Sequence, residues 1–232
     1  MRNKNKIITK QYNSPFGNLL LGSYNEHICL CDWLISNRKE NVDLMLKRKL
    51  FADYIEDSSN IIDYASKQLD EYFLGIRKNF DVPLLLNGTD FQKHIWNCLL
   101  LIPYGNMVSY SEIANIAGKP KYIRAIANTI ASNAISIFIP CHRVIGKNNT
   151  LTGYRGGLIT KQSLLTLEKQ NYLLLSGKTR EGIKYQSEAL KNQVSDLLFQ
   201  KVSPLSRKVF VPEVLLEPLL LEYYSKFYPD FP

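Results

Sequence analysis

Cysteine is scarce in this sequence, with four residues (Cys29, Cys31, Cys98 and Cys141) in a chain of 232. Four unevenly spaced cysteines do not form the disulfide framework that stabilises small secreted domains. Long apolar runs are also missing, because no uncharged stretch approaches the ~20 residues that cross a bilayer. No apolar signal-peptide core follows the basic start of the chain. We therefore expect a cytoplasmic protein with no membrane contact, in a reducing compartment that keeps its cysteines as thiols.

The charge of the chain is unevenly distributed, although the net charge is only +8. Residues 1–87 carry 12 Lys/Arg and 11 Asp/Glu, whereas residues 88–175 carry 9 and 3, a net charge of +6. Residues 176–232 are close to neutral, with 8 and 7. A basic excess confined to one segment favours a polyanionic partner, although an ordinary basic surface gives the same count.

An apolar run in this basic segment ends in a pair of reactive side chains. Residues 135–139 are apolar except for Ser136, which predicts a short buried strand or core extension. Pro140 ends that run, since proline lacks a backbone donor. Cys141 and His142 follow, and a neighbouring imidazole makes the nucleophilic thiolate easier to form. A bare Cys-His pair is otherwise usually packing and coincidence.

The segment Pro140–Gly146, Pro-Cys-His-Arg-Val-Ile-Gly, resembles the active-site signature of the O6-alkylguanine-DNA alkyltransferases (methylated-DNA–protein-cysteine methyltransferases). Further segments match that family in the family's order. They are Asp70–Phe73, Gly88–Phe91, Ile102–Gly105, Val108–Tyr110, Gly118–Pro120, Arg124–Ala125 and Leu151–Leu158. The resemblance stops near Leu175, and Ala134 stands where the family usually has proline.

The resemblance implies a suicide DNA repair protein. It would transfer the alkyl group of O6-alkylguanine, and of O4-methylthymine, in double-stranded DNA irreversibly to its own Cys141. His142 would take the thiol proton, Glu168 would orient His142, and Tyr110 would act beside the flipped nucleotide. No cofactor is needed because the protein itself accepts the alkyl group, and we expect a monomer.

Two alternative functions are considered. The first is a non-catalytic protein that binds alkylated DNA lesions, but family relatives of that type lack the cysteine. The second is a Cys-His-Glu hydrolase acting on acyl substrates, for which the sequence shows no oxyanion-hole element.

The expected fold class is α+β. Residues 1–87 would form a small N-terminal α/β domain, and the resemblance implies a ribonuclease H-like sheet for it. Residues 88–175 would form a mainly helical, winged helix-turn-helix-like alkyltransferase domain that binds DNA. Residues 176–232 would be a C-terminal extension of unknown role. The boundary is placed at Asn87-Gly88, which follows a short apolar stretch.

Within the first domain, two apolar stretches flank Asn25-Glu26 and predict a β-hairpin. In a strand, His27, Cys29 and Cys31 would share one face, which raises a zinc site as an alternative. No fourth ligand is evident, so we predict packing on the sheet and no bound metal. Residues 36–58 are interpreted as a solvated loop or short helix, and residues 61–76 as an amphipathic helix.

The basic segment is predicted to contain two short helices joined by a tight turn at Gly118-Lys119-Pro120. Asp90 is expected to cap a preceding helix, and Ser109 with Glu112 fits a capping box for the first of the two. The second should extend from Lys121 to Ser132. Its expected buried face comprises Ile123, Ile126, Ala127 and Ile130. The resemblance places this helix in the minor groove, with Arg124 filling the gap left by the flipped base. The candidate DNA-binding residues are Lys121, Arg124, Ala125, Asn128 and Thr129.

The remaining candidates lie on either side of the signature. The resemblance gives Asn133 a hinge role, with hydrogen bonds to backbone near the cysteine. The Gly-rich loop Thr152–Gly157 lacks the spacing of a phosphate-binding P-loop. In the family this loop walls the alkylguanine pocket, which makes Tyr154, Arg155 and Gly156 pocket candidates. Glu168 is expected near the end of the following helix, where a lone glutamate is ordinarily a surface residue.

Overall fold

The computed structural model describes residues 5–34 and 39–175. The first part of the chain forms a four-stranded sheet with the spatial order β3-β2-β1-β4. Its elements are β1 (Asn5–Ser14), β2 (Gly17–Tyr24), β3 (His27–Trp33), α1 (Lys39–Leu50), β4 (Ala52–Glu56) and α2 (Asn60–Phe73). The first three strands form an antiparallel meander, whereas β4 runs parallel to β1. Ile8 of β1 therefore lies between Ser23 of β2 and Ile55 of β4.

The hairpin predicted around Asn25 and Glu26 is confirmed as β2 and β3. Both turn residues have positive φ angles, 47° and 58°, as the two-residue turns of tight hairpins require. His27 is exposed, whereas Cys29 and Cys31 are buried in the core. Within residues 5–34 and 39–175, no group of three or more His, Cys, Asp or Glu side chains is placed to hold a metal ion.

The prediction of a solvated loop or short helix over residues 36–58 is wrong for its second half. The structure contains α1 followed by β4, a strand of only five residues. Ala52 is the one residue of β4 that is buried, so the sequence has no apolar alternation to reveal it. The strand forms because the edge of β1 has unpaired backbone N–H and C=O groups. The crossover through α1 lets β4 pair with this edge in the parallel direction.

Helix α2 confirms the amphipathic helix predicted over residues 61–76, but it ends earlier. The Ser59 hydroxyl caps its start by accepting from the Ile62 N–H at 3.4 Å. Gly75 ends it, with a φ of 76° that favours glycine. Ile76, which the spacing assigned to the apolar face, therefore lies outside the helix and is 69% exposed.

The second part of the chain is mainly helical, as predicted. It contains α3 (Asp90–Leu100), β5 (Val108–Ser109), α4 (Tyr110–Ile116), α5 (Ile123–Ala131), β6 (Val144–Ile145) and α6 (Gly157–Leu175). Thr89 caps α3 in place of the predicted Asp90, and Gln92 completes its capping box. The capping box predicted for Ser109 and Glu112 is confirmed at the start of α4. The α+β fold class is therefore confirmed.

Residues 135–139 attach the helical part to the sheet. The Cys31 N–H donates to the Ala134 carbonyl at 2.9 Å, and the Ser136 N–H donates to the Cys31 carbonyl at 2.7 Å. These residues are buried as predicted, but they do not form a regular strand. Ile137 has a φ of 72°, and the Ile139 N–H turns back to the Ile135 carbonyl at 3.0 Å. This turn ends immediately before Pro140 and Cys141.

Two further expectations concern the ends of the described region. Among its helices, none is long and apolar enough to span a bilayer. The predicted C-terminal extension over residues 176–232 lies outside the described residues.

Candidate active site

Cys141 begins a 3-10 turn directly after Pro140 and is 5% exposed. Burial, the largest effect, raises the pKa of its thiol. Three neighbouring groups lower that pKa: the Asn133 amide, the Lys161 ammonium and the Arg155 guanidinium. Because burial outweighs them, the thiol needs a nearby proton acceptor to become a nucleophilic thiolate.

Asn133 holds the backbone around the cysteine in place. Its side chain is fully buried, and its Nδ2 donates to the Ile139 carbonyl at 3.1 Å and to the Cys141 Sγ at 3.2 Å. Its Oδ1 accepts from the Ile135 N–H at 3.0 Å. One amide therefore bridges the two ends of the turn before Cys141 and also donates to the sulfur itself.

His142 is fully buried beside Cys141 in sequence, and its Nε2 lies 2.8 Å from the Glu168 Oε1. Since a carboxylate can only accept here, Nε2 carries the hydrogen and Nδ1 is left as the basic nitrogen. Nδ1 is buried and has no hydrogen-bond partner within the described part of the chain. Burial, the largest effect, lowers the pKa of His142, Glu168 raises it, and Arg143 and Lys161 lower it further, so that the pKa lies below its ordinary value. The imidazole is therefore neutral at neutral pH and can accept a proton at Nδ1.

Glu168 is a fully buried carboxylate in the middle of α6, and not a surface residue near its end. Arg143 binds it in a bidentate manner, with Nε 2.9 Å from Oε2 and Nη2 2.9 Å from Oε1. The Gly105 N–H donates to Oε2 at 3.0 Å, and the Tyr72 hydroxyl donates to Oε1 at 2.8 Å. Burial alone would raise the pKa of Glu168, but His142 and Arg143 lower it to about 2. Glu168 is therefore ionised at every physiological pH.

The Gly-rich loop packs against the last residues of β3. The Trp33 Nε1 donates to the Tyr154 hydroxyl at 3.1 Å, and the Tyr154 ring meets the His142 ring edge-to-face at 6.3 Å. A Cβ on Gly156 would lie 2.8 Å from the Trp33 Nε1, so only glycine allows this close approach. Tyr154 and Gly156 are thus placed beside the Cys-His pair by a strand of the sheet.

Two cations beside this loop are buried. The Arg155 Nε donates to the Asp32 Oδ1 at 2.8 Å, and the Arg155 Nη2 pairs with the other carboxylate oxygen. The guanidinium predicted to line the pocket is therefore held by Asp32. The Lys161 Nζ donates to the carbonyls of Val144, at 2.5 Å, and Thr152, at 2.8 Å. Burial lowers the pKa of Lys161 to about 8.

Tyr110 joins the start of α4 to the same loop. It is the first residue of α4 and is half-buried. Its hydroxyl accepts from the Thr152 Oγ1 at 3.4 Å. The structure therefore brings Tyr110 to the loop that carries Tyr154.

Helix α5 presents most, but not all, of the predicted DNA-binding residues to solvent. Lys121, Arg124, Ala125 and Asn128 are exposed. Thr129 is only 5% exposed, and its carbonyl accepts from the Trp96 Nε1 at 3.0 Å. Thr129 therefore belongs to the buried face with Ile126 and Ile130, and its predicted surface position is wrong. Ile123, predicted as buried, is 41% exposed because it is the first residue of the helix, at the outer end of that face.

The basic surface of this region is smaller than the sequence count suggests. Three of its nine Lys/Arg residues are buried: Arg143, Arg155 and Lys161. The exposed ones are Lys93, Lys119, Lys121, Arg124, Lys147 and Lys169. Only Asp90 and Glu112 are exposed acidic residues in residues 88–175, so the surface remains positively charged.

Comparison with known proteins gives two family matches that follow one another along the chain. Residues 7–86 match the ribonuclease-like domain of 6-O-methylguanine DNA methyltransferase, and residues 90–170 match its DNA-binding domain. A methylated-DNA–protein-cysteine methyltransferase of Methanosarcina acetivorans is 41% identical over 157 residues, which cover 68% of this chain and 95% of that relative. The chain belongs to the O6-methylguanine DNA methyltransferase family.

Other family members are similar over different lengths. The inducible methylated-DNA–protein-cysteine methyltransferase of Bacillus subtilis is 50% identical over 116 residues, which cover 50% of this chain and 64% of that relative. The crystal structure of Mycobacterium tuberculosis OGT in complex with DNA superposes with a TM-score of 0.60 at 37% identity. That superposition covers 72% of this chain and 94% of the other.

Three buried residues of this methyltransferase-family site received no role from the sequence pattern: Tyr72, Arg143 and Lys161. Tyr72 and Arg143 stand within matched segments, which was the only signal for them. For Lys161 the sequence did contain a signal. Lys161, Leu164, Leu165 and Glu168 have the i, i+3, i+4, i+7 spacing that places residues on one face of a helix, here α6. Two charged residues on the same face as two leucines indicate buried charges with partners.

Proposed function

We propose that this protein is a single-turnover DNA repair methyltransferase. It transfers the alkyl group of O6-alkylguanine, and of O4-methylthymine, in double-stranded DNA to Cys141. The observation that carries this proposal is the buried Cys141 thiol beside a neutral His142, whose Nε2 is bound to Glu168 at 2.8 Å and whose Nδ1 is free to accept. Membership of the family supports it.

The reaction is a direct displacement at the alkyl carbon. The thiol proton passes, through a water molecule, to His142 Nδ1. The Cys141 Sγ forms a bond to the alkyl carbon while the bond from that carbon to O6 breaks, and the electron pair goes to the guanine. Tyr110 donates a proton to the guanine, and the proton that His142 took from the thiol is released to water and replaces the one that Tyr110 lost, so no net proton is gained. The product is a thioether, and since a thiolate is a poor leaving group from an alkyl carbon, Cys141 is not regenerated.

Glu168 supports this reaction without taking the proton. Its charge stabilises the imidazolium that forms at His142, as the carboxylate of a catalytic triad does. Arg143, Gly105 and Tyr72 keep Glu168 ionised and fixed, so the proton stops at His142. No cofactor takes part in these steps, because the protein is the acceptor.

The DNA partner binds through α5 and the positive surface around it. Chemistry on one base of a duplex requires that the base leave the stack. Arg124 is the long cationic side chain on a helix face that otherwise exposes Ala125 and Asn128. We assign Arg124 to the gap that the flipped nucleotide leaves, and Lys121 to the phosphate backbone. Asn133, Tyr154 and Gly156 form the pocket for the flipped base, and Arg155 supports that pocket from behind through Asp32.

The remaining expectations are also proposals. The predicted division at residue 87 is kept, with residues 176–232 as a separate extension, because the two family matches end and begin at residues 86 and 90. We propose a cytoplasmic location, where the Cys141 thiol stays reduced, and a monomer.

The test is an intact-mass measurement on the full chain after incubation with a duplex that carries O6-methylguanine. We expect the protein mass to rise by one methyl group, which peptide analysis places on Cys141. An unmodified duplex and the Cys141→Ser variant serve as controls and should show no change. Repaired guanine well beyond one equivalent of protein would favour a turnover enzyme such as the hydrolase alternative. Lesion binding without any mass change would favour the binding protein.

A further inference from the structure

Tyr72 brings a hydroxyl from the N-terminal sheet domain into the Cys-His-Glu site. It lies in α2 and is fully buried. Its hydroxyl donates to the Glu168 Oε1 at 2.8 Å. That is the same oxygen that faces the His142 Nε2 at 2.8 Å. Tyr72 is 96 positions from Glu168 in the sequence, whereas His142 is 26 positions from it.

We propose that Tyr72 is a positioning residue that sets the basicity of His142 by competing with it for one oxygen of Glu168. The proposal rests on the proposed function, because it concerns the base that takes the Cys141 proton. It adds a role for a residue of the N-terminal domain, which supplies none of the reacting groups.

The competition follows from the number of donors at that oxygen. A carboxylate has about four lone-pair sites, so about two belong to each oxygen. Oε1 meets donors from three residues: the Tyr72 hydroxyl at 2.8 Å, the His142 Nε2 at 2.8 Å and the Arg143 guanidinium, whose Nη2 lies at 2.9 Å and whose Nε lies at 3.2 Å. Each donor therefore reduces the negative charge that the others receive. The Tyr72 hydrogen bond weakens the support that Glu168 gives to a protonated His142.

The other charged and titratable groups near this site are unchanged by a substitution at Tyr72. Those that act on His142 are Glu168, Arg143 and Lys161. Tyr104, from the turn before β5, also faces Glu168 and Arg143. Arg155 and Lys161 act on Cys141. Apart from Glu168 itself, none of these groups is hydrogen-bonded to the Tyr72 hydroxyl, so its removal isolates the Tyr72–Glu168 interaction.

Tyr72→Phe removes that hydroxyl and keeps the ring. The ring packs on Phe73, Phe80 and Tyr104, with centroids 5.3, 5.4 and 6.0 Å away, and a phenylalanine retains these contacts. With one donor fewer, Oε1 interacts more strongly with His142, and the protonated imidazole becomes more stable. The pKa of His142 should rise. Above that pKa, the thiolate-imidazolium pair should then make up a larger fraction of the protein.

Two measurements on the full chain test this proposal. The first is the pH dependence of alkyl transfer from free O6-benzylguanine, which requires no DNA. Because only neutral His142 can accept the thiol proton, the low-pH limb should move up by about 0.5 to 1 pH unit in Tyr72→Phe, while the rate on the plateau above the limb rises roughly three- to tenfold. The second is the titration of the His142 imidazole by NMR, which three histidines in the chain make tractable and which needs no transfer activity.

Tyr104→Phe is the matched control. Tyr104 packs edge-to-face on Tyr72, but its hydroxyl accepts from the Asn171 Nδ2 at 3.2 Å. This variant should leave the limb and the His142 titration in place. A Glu168→Gln background should abolish the effect of Tyr72→Phe on His142, because the charged oxygen for which they compete is gone.

An unchanged or lowered pKa of His142 in Tyr72→Phe overturns the proposal, and so does an equal rise in Tyr104→Phe. A uniform loss of rate with an unmoved limb assigns Tyr72 to the fold alone and also overturns it. If the wild-type protein does not transfer the benzyl group, the proposed function fails, while the His142 titration still decides the role of Tyr72.

Discussion

Asp32→Asn should destabilise the folded protein by about 3–5 kcal/mol, because it leaves the Arg155 guanidinium buried without its counter-charge. The side chains of this pair are 5% and 2% exposed, so water cannot replace the lost carboxylate. The variant removes little else. Asn retains an Oδ1 that can accept from the Trp33 N–H, a hydrogen bond of 3.0 Å in the structure.

Chemical denaturation of the full chain at neutral pH measures this loss. Asp63→Asn is the matched control, since Asp63 pairs with Lys10 at 2.8 Å on the surface, where the two side chains are 57% and 46% exposed. An exposed pair of this kind contributes about 0–1 kcal/mol. The double variant Asp32→Asn with Arg155→Met should cost less than the sum of the two single variants, because it removes both charges together.

The reasoning is refuted if Asp32→Asn costs no more than Asp63→Asn. It is also refuted if the double variant loses the full sum of the single variants, since the two side chains would then not be coupled. If the prediction holds, it explains why a strand of the sheet and a loop of the helical part stay together next to Cys141.

Three further predictions concern the site. Arg124→Ala should slow transfer from duplex DNA by roughly ten- to a hundredfold, where each factor of ten corresponds to about 1.4 kcal/mol. The reaction with free O6-benzylguanine should be nearly unchanged. Equal slowing of both reactions would assign Arg124 to the fold. Cys141→Ala should keep its affinity for DNA but lose alkyl transfer, and binding titrations should show this affinity falling steeply as the salt concentration rises. An affinity independent of salt would contradict the assignment of the basic surface to DNA binding. Glu168 has a pKa of about 2 when folded against an ordinary value of 4.5, so its stabilising contribution is present above pH 4.5 and is lost as the pH falls towards 2. Acid unfolding of Glu168→Gln should lack this component, and an unchanged acid profile would contradict it.

The sequence predicted the elements whose causes are local. The turn at Asn25-Glu26, the capping box of Ser109 and Glu112 and the helix over residues 61–76 depend on side chains within a few positions of one another. It also predicted the order of the domains and the Cys-His pair, because the matched motifs follow one another along the chain. The sequence did not predict β4, because this strand has no apolar alternation and forms by backbone pairing with the edge of β1.

Only the tertiary structure decided which charged residues are buried and which groups pair with them. Tyr72 and Glu168 are 96 positions apart, and Asp32 and Arg155 are 123 apart, so no pattern within a window relates them. Burial also changed the expected surroundings of two residues: Arg155, a pocket candidate, pairs with Asp32, and Thr129, a surface candidate, lies on the buried face of α5. A charge is buried only when folding supplies its partner, and that partner is a property of the whole fold.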